Sequence, residues 1–152
     1  MTQVDKEEIK KIAKLRAYNP EQDKAFIFAS WLKGLYYGDT AFKEIPKAIF
    51  MENYHRVIEH IINRNETDIT IMCLKDEPDT ILGYTVIRTL NSPDLLNIKV
   101  LDWIFIKDRW RHVGIMEALL PLDLKAVTHL TKKGLSIKNN KFPNLIYNPF
   151  LI

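Results

Sequence analysis

The chain has 152 residues, one domain's worth of mass, with 47% hydrophobic and 27% charged residues, the balance of an ordinary globular domain. Five glycines and seven prolines exclude collagen-like and low-complexity chains, and the lone cysteine, Cys73, excludes an internal disulfide or a cysteine-based zinc site. The net charge of +3 is mildly basic, compatible with an anionic ligand or nucleic acid and diagnostic of neither.

No run approaches the roughly 18 apolar residues of a membrane span, and Met1 to Lys14 is charged from Asp5 onward without the apolar centre of a secretory signal. The single cysteine fits a reducing compartment, so the cytoplasm of a bacterial cell or of a phage-infected host is expected. We expect one domain over residues 1–152, with 1–11 as a mobile or helical arm and Lys6 to Arg16 as a solvated stretch of mixed charge.

In chain order, Ile12 to Tyr18 alternates in polarity and predicts a short strand. Asn19 as cap and Pro20 in the first turn open a helix that Gly34 or Gly38 would stop. Pro46 opens a second helix, whose apolar stripe from Ile49 to Ile62 follows the 3.6 period and should end near Asn63. Asp68 to Leu74 and Ile81 to Arg88 flank a polar turn and predict an antiparallel hairpin. After Asn91-Ser92-Pro93, Leu95 to Ile106 is apolar enough for a central strand buried on both faces. Val113 to Leu122 predicts a short helix, Ala126 to Thr131 a strand, Lys132 to Asn140 a weak helix and Asn144 to Asn148 a last strand. The order implies a mixed α/β sheet, mostly antiparallel, with helices on its faces.

The segment that carries chemistry is Trp103 to Leu120, WIFIKDRWRHVGIMEALL. A buried strand runs into a basic turn, then Gly114, then an apolar helix. Unpaired amides at a helix start favour an anion. Gly114 would let a phosphate approach the backbone, and Arg109, Arg111 and His112 add positive charge.

Arg111-His112-Val113-Gly114-Ile115-Met116 resembles the acyl-CoA signature of the GNAT N-acyltransferase superfamily, Arg/Gln-x-x-Gly-x-Gly/Ala. Its surroundings resemble the family too: Ile104-Phe105-Ile106 before it, Trp110 just ahead, Ala118-Leu119-Leu120 after it, and Leu82-Gly83-Tyr84 in the third strand. The resemblance implies a GNAT-like acyl-CoA N-acyltransferase fold and transfer of an acetyl or similar acyl group from acyl-CoA to an amine by direct attack. It implies that Phe105 and Ile106 offer backbone groups to pantetheine where the fourth and fifth strands splay. The amides of Arg111, His112, Val113, Gly114, Ile115 and Met116 would cradle the pyrophosphate. No metal is expected.

For proton transfer the resemblance offers three residues, each with a structural alternative. Asp102 would act through water as base, or pair with a lysine at the strand start. His129 would titrate near neutrality as acid or base, or be a hydrogen-bonded structural histidine. Tyr147 would be the general acid toward the CoA sulfur, or a packed aromatic. Ser30, Trp31, Tyr36 and Tyr37 would line the acceptor side, or belong to the core. The acceptor is a small-molecule amine, a protein amine or a nucleobase, the last as in phage Mom-type members of the superfamily. Sixteen lysines against six arginines, with many isoleucines and asparagines, is a composition that goes with AT-rich genomes, phage genomes included. A homodimer is a further expectation.

Met116 stands where the family prefers Gly or Ala, and His112-Val113 replaces the usual Gly-rich pair. Met116 and the lack of a compelling acid–base pair favour the alternative, a catalytically inactive GNAT-like binding or interaction protein of phage type, associated with nucleic acid. Other chemistry finds no support. Cys73 lies mid-strand among apolar residues, His55 and His60 are five apart rather than four, and there is no Gly-x-x-x-x-Gly-Lys-Ser/Thr.

Overall fold

The computed structural model describes residues 6–93 and 95–152. Six strands form one sheet in the order β1-β2-β3-β4-β5-β6: β1 Ala13–Ala17, β2 Thr67–Leu74, β3 Ile81–Ser92, β4 Leu95–Ile106, β5 Leu124–Val127 and β6 Ile146–Tyr147. The first four are antiparallel neighbours, and β5 and β6 then run parallel to β4. The helices are α1 Lys6–Ile12, α2 Pro20–Gly38, α3 Lys47–Ile62, α4 Ile115–Leu119 and α5 Lys132–Lys141.

The sheet buries an apolar layer on each face. On one, Ile27, Trp31 and Leu35 of α2 and Phe50, Ile58 and Ile61 of α3 pack on Ile71, Tyr84, Val86 and Trp103. On the other, Ile9 and Ala13 meet Met72, Leu82, Val113, Ile115 and Leu119. This is the mixed sheet with helices on both faces that the chain order implies.

Of the N-terminal expectations, the helical alternative is what Lys6–Ile12 adopts, and the solvated stretch from Lys6 to Arg16 needs correction. Residues 1–5 lie outside the described part, but Lys6–Ile12 is a helix, and burial of Ile9 under the α4 segment makes it structural rather than a solvated arm. The start of α2 follows local rules. The Asn19 side chain accepts from the Glu21 amide, and Asp23, buried, accepts a bidentate pair from Arg16 at 2.7 and 2.8 Å, joining β1 to α2.

Three elements near the signature are shorter than predicted. β5 ends at Val127 because residues 128–131 turn away from β4 into the Thr131 cap of α5. α4 is confined to five residues between Gly114, in left-handed backbone at φ 92°, and Pro121. β6 keeps only the two residues that reach Ala126 and Val127. β4 has its predicted bounds, yet Ile104, Phe105 and Ile106 are only half-buried, because a cleft opens beside them.

Candidate functional site

The cleft arises where β4 and β5 part. Their pairing covers only Lys99 to Leu101, and the last bond runs from the Thr128 amide to the Leu101 carbonyl at 3.0 Å. Beyond it lies a cavity of about 620 Å³. Its floor is β4 from Trp103 to Ile106. One wall is His129 to Thr131 with α5. The mouth is Arg111, His112, Gly114 and Met116, and the far end is Gly34, Tyr37 and Gly38 of α2. Close packing holds this frame: a side-chain carbon at Gly38 would lie 2.6 Å from the Thr131 methyl, and one at Gly83 2.7 Å from the Phe105 carbonyl.

At the mouth, His112 and Gly114 both hold positive φ, 67° and 92°, which turns the chain sharply into α4. Ala118 is the first residue of this turn bonded back, to the Gly114 carbonyl, so the amides of Ile115, Met116 and Glu117 have no carbonyl within the helix to meet. A helix of five residues has little macrodipole, so attraction for an anion rests on these amides and on side-chain charge. Val113 and Ile115 point into the core and anchor the turn. Among the six signature residues, Arg111 is already engaged: its amide meets the Asp108 carbonyl, and its guanidinium meets the Asp108 carboxylate at 2.6 Å and the Ile106 carbonyl at 3.2 Å. Arg111 therefore braces the loop, and the Ile106 carbonyl is occupied by it.

Asp102 is fully buried and outside the cleft lining. It receives Arg88 at 2.5 and 2.8 Å and the Thr128 hydroxyl at 2.8 Å. The expected partner, a lysine at the strand start, is instead Arg88 of β3, and a water-mediated base is not the arrangement seen. Arg88 also donates to the Leu151 carbonyl at 2.6 Å, fastening the C-terminal turn.

His129 lines the cleft yet is only 8% exposed. The Thr128 hydroxyl gives its single proton to Asp102, so it accepts from His129 Nδ1–H, and Nε2 is left to accept from the Tyr54 phenol. Burial pushes the His129 pKa down to about 4, against the pull of Asp102, so the ring is neutral at neutral pH. Burial likewise pushes the Tyr54 phenol well up.

Tyr147 is 47% exposed on β6 and does not line the cleft. Of the four residues expected on the acceptor side, Tyr37 alone lines it. Trp31 is fully buried, stacked on Trp103 at 5.7 Å and 6°, and Tyr36 donates to the Ile45 carbonyl against Phe50. Ser30 is engaged by the Phe26 carbonyl and the Tyr84 phenol. Tyr37, 52% exposed, accepts from Lys47 at 3.0 Å, which pulls its pKa below the usual tyrosine value.

The sequence alone did not point to Arg88, Tyr54 or the lysines of α5. A signal existed for the first: Arg88 is the lone charge of β3 and Asp102 the lone acid of β4, and charges in apolar strands need partners.

No family model matches the sequence, and no curated protein is similar to it. Solved structures are similar in fold. A proposed acetyl transferase from Pyrococcus furiosus superposes with a TM-score of 0.62 at 17% identity, over 89% of this chain and 95% of its own. A candidate acetyltransferase from Clostridium difficile 630 gives 0.57 at 11%, over 90% and 91%. AAC(6')-Iy, solved with the bisubstrate analog CoA-S-monomethyl-acetylneamine, gives 0.50 at 14%, over 90% of each chain. The chain therefore has the acetyltransferase fold of GNAT type, as the resemblance in Arg111 to Met116 implies.

Proposed function

We propose that the protein is an acyl-CoA-dependent N-acyltransferase that passes an acetyl or similar acyl group to an amine. The observation that carries this reading is the cleft: parted parallel strands with an apolar floor, and at the mouth a left-handed turn whose amides have no partner in the helix. The floor, Trp103 to Ile106, suits an extended apolar arm, and β4 backbone groups facing the gap would fix it. The turn at 112–116 would hold the diphosphate.

The acyl-CoA supplies a thioester carbonyl for a neutral amine to attack. Holding both reactants in one cleft removes several kcal/mol from the barrier, and screening by Trp103 and Phe105 keeps water from competing. Tyr37, polarised by Lys47 at the α2 end, is the tyrosine placed to exchange a proton there. His129, neutral and fixed in one tautomer, orients the wall opposite β4.

Acetyl-CoA titrated by calorimetry should bind with a Kd in the micromolar range, and His112→Glu should weaken binding at least about tenfold, since it sets a negative charge at the mouth. His112 is the better control than Gly114, whose φ of 92° would strain any side chain. Absence of binding by folded wild type would remove the acyl-CoA reading.

A second reading is favoured by one observation: Asp102 and His129 are locked in a buried network, and Tyr147 stands outside the cleft. This is a GNAT-like binding protein without catalysis. Free-thiol release from acetyl-CoA over a panel of small amines, peptide amines and nucleobases separates the two. Binding without turnover on any of them would favour the second.

A further inference from the structure

An open sheet has two edges whose unpaired backbone groups invite another strand, and charged side chains are a common guard against it. β1, at one edge, carries Lys14 and Arg16. β6, at the other, carries no charge, and neither does any residue from Phe142 to Ile152, the longest uncharged stretch of the chain. The two next longest, 25–32 and 80–87, run through α2 and into β3 and supply core residues, among them Ile27, Trp31, Tyr84 and Val86. At β6 the apolar side chains face water instead: Ile146 is 64%, Tyr147 47% and Phe150 92% exposed. These three leave roughly 450 Å² of mostly apolar surface uncovered, the size of the largest patch on a typical monomer and more than half of the ~800 Å² that each partner brings to a standard interface.

The backbone sets the form of the contact. The Asn148 amide reaches the Val127 carbonyl of β5 at 2.9 Å. Successive residues of a strand direct their amide and carbonyl to opposite edges, so those of Tyr147 point outward, away from β5. We infer that β6 pairs with β6 of a second copy of this chain, antiparallel, across a two-fold axis at Tyr147. Directly opposite residues of such a pair exchange both hydrogen bonds, which satisfies the amide and carbonyl of Tyr147 in both copies. The ladder stops there, because Leu145 already gives its amide to the Phe142 carbonyl and Pro149 has no amide. One face of the seam then carries the two Tyr147 side chains opposite each other. The other carries the two Ile146 side chains on a diagonal, each beside Asn148 of the second copy. A two-fold contact sets a patch against itself, so a charged edge would repel its own copy, and this edge holds no charge to do so. With both edges used, assembly closes at two copies.

The test is analytical sedimentation of wild type, Tyr147→Lys, Ile146→Lys and Leu15→Lys over a range of concentrations, at low and high salt. Wild type should dimerise with a dissociation constant in the micromolar range, because the ladder is short. High salt should not loosen the dimer, because no charges meet. Tyr147→Lys sets like charges directly opposite and Ile146→Lys sets them on the diagonal, so each should weaken the dimer at least about tenfold. Leu15→Lys, at a similarly exposed leucine on the opposite edge, should change it by less than about twofold. Wild type that stays monomeric up to about 100 μM would overturn the inference and leave the patch to a different partner. So would a dimer that high salt dissociates, one that Leu15→Lys weakens as much, one that neither β6 variant weakens, or assemblies beyond two copies. Ile146 and Tyr147 are exposed, so both variants should fold, with thermal midpoints near that of wild type at a concentration where it is monomeric. Loss of folding in one leaves the other to decide. Loss in both would place these side chains in the chain's own core and overturn the inference.

Discussion

Two residues of one turn stand in left-handed backbone, and only one is a glycine. At Gly114 the absence of a side chain makes φ 92° easy, whereas His112 at φ 67° carries a clash of about 1–2 kcal/mol. His112→Gly should therefore raise stability by up to about 1 kcal/mol, and Gly114→Ala should lower it by about 1–2 kcal/mol. Urea unfolding of the two variants checks the pair, and a stabilising Gly114→Ala would show that the turn is not as described. Gly114 was legible in the sequence because its spacing from Arg111 fits a signature. The strain at His112 was not, since it depends on where Val113 must enter the core.

The strands β3, β4 and β5 are joined by a buried polar chain from Arg88 through Asp102, Thr128 and His129 to Tyr54 of α3. Removing one charge leaves the other buried and unpaired. Arg88→Met alone or Asp102→Leu alone should cost about 3–5 kcal/mol, while the double variant should recover most of that loss. Denaturant midpoints for the four corners of the cycle measure the coupling, and additive losses would contradict it.

The same chain sets a pH dependence. The folded pKa of His129, about 4, lies below the ordinary 6.5, so on acidification the unfolded chain takes up the proton first. This contribution is fully present above pH 6.5 and is lost as pH falls from 6.5 toward 4, by roughly 3 kcal/mol over the window. Asp23, held below the ordinary carboxylate range by Arg16, loses its contribution at still lower pH, so the two effects separate. Comparing unfolding at pH 7 and pH 5 for wild type and His129→Gln tests this. The variant should start less stable and show a flatter profile. An unchanged slope would assign the acid loss elsewhere.

At the scale of the whole molecule, the cleft belongs to no single element: α2, β4, the turn before α4, the end of β5 and α5 each contribute one side. A ligand that joins them should stabilise the fold by mass action. Acetyl-CoA at a hundred times its Kd should add about 2.7 kcal/mol and raise the Tm by about 5–10 °C. Thermal unfolding with and without the ligand checks this, and no shift at saturation would mean that the ligand binds folded and unfolded chains alike.

Local pattern was enough for much of this protein. Asn19-Pro20 opens α2, the apolar stripe from Ile49 makes α3, the alternation around the polar turn makes the β2–β3 hairpin, and Leu95 to Ile106 makes β4 at its observed bounds. These are contacts within a few residues, or between neighbours in sequence, and periodicity records them. The turn at Gly114 belongs with them. Tertiary structure decided where β5 leaves β4, because Thr128 must turn inward to reach Asp102. It decided that Trp31 is core while Tyr37, six residues on, lines the cleft. It also decided that Asp102 pairs with Arg88. Each of these depends on which distant side chains share a low-dielectric interior, and a one-dimensional pattern carries no term for that.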